Sequence, residues 1–119
     1  MDIHDFEITG VEVIGDDRFS LRLFNPLDKA RYEMCFDNVR RLFVDGFSLQ
    51  NIVLDVSLFT APVEEFGFRR ASTLLNLDGV AGSGMQDGDC IMLIEASAGA
   101  EVACLWKGPS VPVLSRIPP

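Results

Sequence analysis

Asp55 is the residue that first raises a question of chemistry. It interrupts the apolar run from Asn51 to Phe59, where Ile52, Leu54, Val56 and Leu58 line one strand face. A carboxylate in a central strand must meet a cation such as Arg22, Arg40 or Arg41, or else face solvent. Structural pairing is favoured over catalysis, because ion-pair networks perturb carboxylates much as active sites do. The same arginines suggest a second use. Arg18 and Arg22, or the adjacent Arg40 and Arg41, together with Asp55, are the candidate residues for holding an anionic small molecule or nucleotide.

Nucleophilic and metal chemistry find little support. A Ser-His-Asp or Cys-His arrangement would have to use His4, the one histidine, which lies near a terminus expected to be solvated. Cys35, Cys90 and Cys104 sit in strand patterns beside apolar neighbours, with no local base or helix N-terminus to activate a thiol. Buried structural cysteine is the expectation for all three. Their wide spacing and the lone remote histidine give no zinc set, so no metal or cofactor is expected.

Gly79-Val80-Ala81-Gly82-Ser83-Gly84 is neither G-x-G-x-x-G nor a P-loop, and it reads as a flexible connection that could touch a ligand or partner. Asp87 and Asp89 flank Gly88 but lack the remaining oxygens of a calcium loop. Arg69-Arg70-Ala71-Ser72 is similar to a basic kinase substrate site, but on a predicted helix a solvated face is the favoured reading.

Arg18-Phe19-Ser20-Leu21-Arg22 fits R-x-x-x-R, and Asp55-Val56-Ser57 fits the start of D-x-S-x-x-G. Together they resemble the cyclic-dinucleotide signature of PilZ domains, which are small bacterial β-barrels. The pattern is incomplete here. Thr60 stands where the closing glycine belongs, and the arginine pair lies inside a strand pattern rather than in a flexible segment before the barrel.

The elements that would position these residues are mostly strands. Asp5 to Ile14 alternates, but its parity changes at Gly10, which marks a β-bulge. Gly15-Asp16-Asp17 is a turn, and Arg18 to Phe24 returns with Phe19, Leu21 and Leu23 on one face. Ala30 to Phe36 alternates again. Val39 to Val44 fits either a short helix or a strand, and its Val and Phe content favours strand.

Asn51 to Phe59 belongs near the middle of a sheet. Pro62 to Leu75 carries Val63, Phe66, Ala71, Leu74 and Leu75 on one helical face, with Thr60 to cap it and Gly67 as a weak point. Cys90 to Glu95 is apolar on both faces and reads as a buried strand. A two-residue turn at Ala98-Gly99 would set Cys90 opposite Lys107 and Cys104 opposite Leu93. Val111 to Ser115 would be a last edge strand, given Pro112, with a frayed tail behind it.

The expected fold is therefore α+β and mainly antiparallel β. It is a small sandwich or partly open barrel of about seven or eight strands, forming a single domain over residues 1–119, with one helix covering an opening.

Composition bounds the function. The chain has 119 residues, 48% of them apolar, and a formal charge of −8, values that exclude a disordered chain. The acidic balance disfavours nucleic acid and anionic membrane surfaces as partners. With no apolar spanning run and only three cysteines, a cytoplasmic location is expected. The preferred function is a non-enzymatic module that binds a basic protein partner, for example an immunity-type protein blocking a basic toxin, or that forms a homodimer. The alternative is the small-molecule or nucleotide binder built on the arginines.

Overall fold

A computed structural model describes residues 2–77, 84–109 and 111–119. Eight strands and one helix follow in chain order: β1 (Glu7–Ile14), β2 (Arg18–Asn25), β3 (Ala30–Phe36), β4 (Val39–Asp45), β5 (Ile52–Phe59), α1 (Phe66–Leu74), β6 (Asp89–Ala98), β7 (Glu101–Lys107) and β8 (Leu114–Ile117). All strand pairs are antiparallel and belong to one open sheet of order β4-β7-β6-β5-β1-β2-β3-β8. This is the mainly-β α+β fold expected from the alternation patterns.

The sheet is folded over on itself. Phe36 of β3 packs edge-on to Trp106 of β7 with ring centroids 5.1 Å apart, although four strands separate them in the sheet order. The fold line is the seam between β1 and β5, where only Glu7 and Ile52 pair. One core fills the space between the two halves. Ile8, Phe19, Leu21, Leu23, Met34 and Phe36 come from one side, and Val53, Met92, Ile94, Val102, Cys104 and Trp106 from the other.

The second half-sheet, β5-β6-β7-β4, is also covered on its outer face. There Ile91, Leu93, Ala103 and Leu105 meet Ala71, Leu75 and Leu77 around α1. The helix therefore covers a sheet face rather than an opening, because β6 and β7 carry apolar side chains on both faces and both must leave water.

The helix is shorter than its sequence signals. It begins at Phe66, not Pro62, with Glu65 extended and making no side-chain cap. Nine residues are too few for a stable isolated helix, so packing sets its limits. Phe68 meets Phe59 edge-on at 5.5 Å, and Gly67 lies where a Cβ would come 3.4 Å from the Phe59 ring. Gly67 thus allows close approach to β5.

Register shifts in β1, β4 and β5 adjust the faces. The one at Gly10 shifts parity so that Ile8 and Val11 both pair with core residues, Leu23 and Leu21. Another lies between Val53 and Asp55 of β5. It turns Leu54 out to 46% exposure and leaves Val53 buried, so Ile52, Leu54, Val56 and Leu58 do not share one face. Val39–Asp45 is a strand, on the sheet edge beside β7.

The β6–β7 register differs by one residue from the two-residue-turn expectation. Cys90 faces Trp106 and Cys104 faces Met92. The cause is at the turn. Gly99 is left-handed at φ +78°, and the Asn51 side chain accepts the Ala100 N–H at 3.0 Å. The two cysteines are still not opposite one another.

Both ends are better fixed than expected. Ile3 is 1% exposed, and the Asp5 N–H donates to Val53. Ile117 pairs with Arg31 in β8, which begins at Leu114, after Pro112.

Candidate functional site

Cross-strand register brings four carboxylates into one row. Asp55 of β5 faces Glu95 of β6, and Asp45 of β4 faces Glu101 of β7. The β6–β7 register, extended one step beyond Ile94 and Val102, sets Glu95 beside Glu101. The row thus runs β5, β6, β7, β4. Paired residues share a face, and these four alternate with core-facing Val56, Ile94, Val102 and Val44. They therefore lie on the outer, helix-bearing side. Strands are spaced about 4.8 Å apart, so the row is about 15 Å long.

One guanidinium already sits on this row. Arg70 of α1 donates from Nε and Nη2 to the two carboxylate oxygens of Glu101, at 3.2 and 2.8 Å. This pairing, and then the wider fields of Glu101 and Glu95, hold the Arg70 guanidinium above its ordinary pKa. Among the described residues, Asp45, Asp55 and Glu95 have no cation within 4 Å. Asp55 is solvent-facing and its Oδ1 accepts the N–H of Val56. Like charges directly opposite one another on a sheet repel, so the row weakens the fold that carries it.

The arginine candidates do not converge on Asp55. Arg18 donates from Nε to Asp37 at 3.0 Å. Arg22 approaches Glu12 and Glu33 at 3.7 and 3.9 Å on a different part of the surface. Arg40 donates to Asp89, which is 1% exposed. Arg41 donates to the Leu75 carbonyl at the end of α1, at 3.3 Å. Arg18, Arg40 and Arg41 do border one small hollow of about 130 Å³ with Asp16 and Asp17, but Arg22 and Asp55 are not part of it. The incomplete signature shared with PilZ domains therefore does not assemble into a site.

Asp89 is a structural carboxylate. Its Oδ2 accepts from Arg40 and from the Gln86 N–H at 2.7 Å, tying β4 to the turn before β6. Its Oδ1 has no hydrogen-bond partner among the described residues.

The thiols divide by face. Cys90 and Cys104 are buried in the inner core. Burial raises the Cys90 thiol and pushes Cys104 up to about 12. Cys35 is exposed, a correction to the expectation of burial: Met34 and Phe36 take the inward positions of β3, so Cys35 points outward. Partial desolvation, and then donation to Glu33 at 3.1 Å, hold its thiol above the ordinary range. His4 is exposed, with Nδ1 donating to the Leu54 carbonyl.

The glycine-rich segment 79–83 lies outside the described residues. No group of three or more metal-ligating side chains occurs among the described residues, and no described helix is long and apolar enough to cross a membrane. None of the family models, curated proteins or solved structures compared with the chain matches it.

Proposed function

We propose that this protein acts by binding a basic macromolecular partner through the row Asp55, Glu95, Glu101 and Asp45. The single observation that carries this reading is the in-register juxtaposition of the four carboxylates across four strands. Arg70 on Glu101 supplies an internal example of how the row takes a guanidinium, with two parallel hydrogen bonds. A partner presenting arginines or lysines about 5 Å apart would meet Asp55 and Glu95, and a third cation about 10 Å beyond Glu95 would meet Asp45; among the described residues these three carboxylates have no ion-pair partner.

Such a surface adds association rate and selectivity for a cationic face while costing the fold some stability. The excess of acidic over basic residues extends the attraction beyond the row. An immunity-type role against a basic toxin in the cytoplasm is one form of this reading.

The test uses two baits in the native host, the wild-type chain and an Asp45→Asn/Asp55→Asn/Glu95→Gln variant. A protein captured only by the wild type is then purified and titrated against both by calorimetry over a salt series. Binding that weakens steeply with salt, and is lost in the variant, supports the reading. A purified partner that binds both baits equally refutes it.

A further inference from the structure

The acidic row runs alongside α1. Two residues along each strand from the carboxylates, the same face carries Ser57, Leu93, Ala103 and Phe43 as paired neighbours. That is a step of about 7 Å. The helix packs over this second row. Ala71 and Leu75 meet Leu93 and Ala103, and a Cβ at Gly67 would come 3.7 Å from the Ser57 hydroxyl oxygen. Thus α1 forms a ridge along one side of the carboxylates.

The flank of this ridge ends in an exposed aromatic ring. Arg70 reaches from α1 to Glu101. Phe66 lies four residues earlier, so the two share one side of the helix. Phe66 adjoins Gly67, which sits against Ser57, two residues along β5 from Asp55. It is 69% exposed.

A second apolar side chain stands on the other side of Asp55. The register shift between Val53 and Asp55 leaves Leu54 without a partner on β6. Val53 and Val56 both face the inner core, so Leu54 and Asp55 are turned to the outer face together. Bulges re-aim side chains in this way beside functional sites. Leu54 and Phe66 therefore bracket Asp55. Single exposed apolar residues are ordinary on a protein surface. Here two large ones gather at one end of a row of carboxylates, the combination of apolar anchor and charged surround found in protein interfaces.

We propose that Leu54 and Phe66 form an apolar anchor at the Asp55 end of the row, and that the partner is a basic segment with a leucine-sized apolar side chain beside its cations. This inference rests on the reading of the row as a binding surface and adds the chemistry of what it binds. A purely cationic partner would satisfy the carboxylates and leave both apolar side chains in water. An apolar partner without cations would leave Asp55 and Glu95 unpaired under it, at a desolvation cost.

The test uses two peptides of equal charge, each with four arginines, flanked at both ends by two leucines or by two serines. Both are titrated by calorimetry against the full chain at low salt. The leucine peptide is expected to bind about tenfold more tightly, in line with burial of one apolar side chain. The Leu54→Ser/Phe66→Ser variant should lose that advantage and still bind the serine peptide as the wild type does. Leu27→Ser, at an exposed turn between β2 and β3, should keep the advantage. Unfolding curves confirm that each variant folds. Equal affinity of the two peptides for the wild type, an advantage that survives in Leu54→Ser/Phe66→Ser, or one that is lost in Leu27→Ser would overturn the anchor and leave the row reading standing. Failure of both peptides to bind would overturn the two together.

Discussion

Replacing Asn51 with alanine should destabilise the protein more than any surface change. Asn51 is 3% exposed and its amide makes four hydrogen bonds. Oδ1 accepts from the N–H groups of Ser48 and Ala100 at 2.8 and 3.0 Å. Nδ2 donates to the carbonyls of Ser48 and Ile8 at 2.8 and 3.3 Å. One side chain thus joins β1, the β4–β5 loop and the β6–β7 turn, at the seam where β1 and β5 share a single pair.

The Ala100 N–H is buried, so in Asn51→Ala it loses its acceptor without access to water, at about 1–3 kcal/mol. The three part-buried or buried partners add roughly 0.5–1 kcal/mol each. The sum, about 2.5–6 kcal/mol, is a large share of the roughly 5–15 kcal/mol that holds a typical domain folded. Urea unfolding should show a lower midpoint with an unchanged slope. Asn51→Asp keeps the acceptor, loses both donors and buries a charge, and it should also destabilise. An Asn51→Ala variant within about 0.5 kcal/mol of wild type would refute the reasoning, since that is the scatter of neutral surface changes.

Three further outcomes follow from the same geometry. Neutralising either member of the facing pair, by Asp55→Asn or Glu95→Gln, should raise the melting temperature slightly, and added salt should shrink the gain. Cys104 is protonated in the fold up to about 12, whereas its unfolded thiol ionises near 9.0. The stability it contributes is complete below the unfolded value and declines as pH rises towards about 12. Cys104→Ala should therefore show a shallower loss of stability over that window in alkaline unfolding curves. In native alkylation read by mass spectrometry, Cys35 should react slowly at neutral pH and faster as pH rises through its elevated range, while Cys90 and Cys104 stay unmodified until unfolding.

Strand positions were legible because alternation is a local signal. The Gly10 bulge, the choice of strand for Val39–Asp45 and the doubly buried β6 all follow from side-chain order and turn residues. The bulge at Leu54 was not legible, since no glycine marks it. The β6–β7 register depends on Asn51, some fifty positions away, capturing the Ala100 N–H, so a local turn rule could not anticipate it. Thr60 and Pro62 are strong local cues for a helix start, but contact of Phe68 with Phe59 governs where α1 begins.

The candidate site was only partly visible. Asp55 was singled out, and it does face solvent, but Asp45, Glu95 and Glu101 join it only through pairings across four strands. Knowing the register in advance would have found them.

The most direct test of the central claim is amide chemical-shift mapping of the labelled protein against a short arginine-rich peptide at low salt. The account predicts shifts centred on Asp45, Asp55, Glu95 and Glu101, removed by salt and absent from the Asp45→Asn/Asp55→Asn/Glu95→Gln variant. Shifts spread evenly over all acidic surfaces, or retained in that variant, would contradict it.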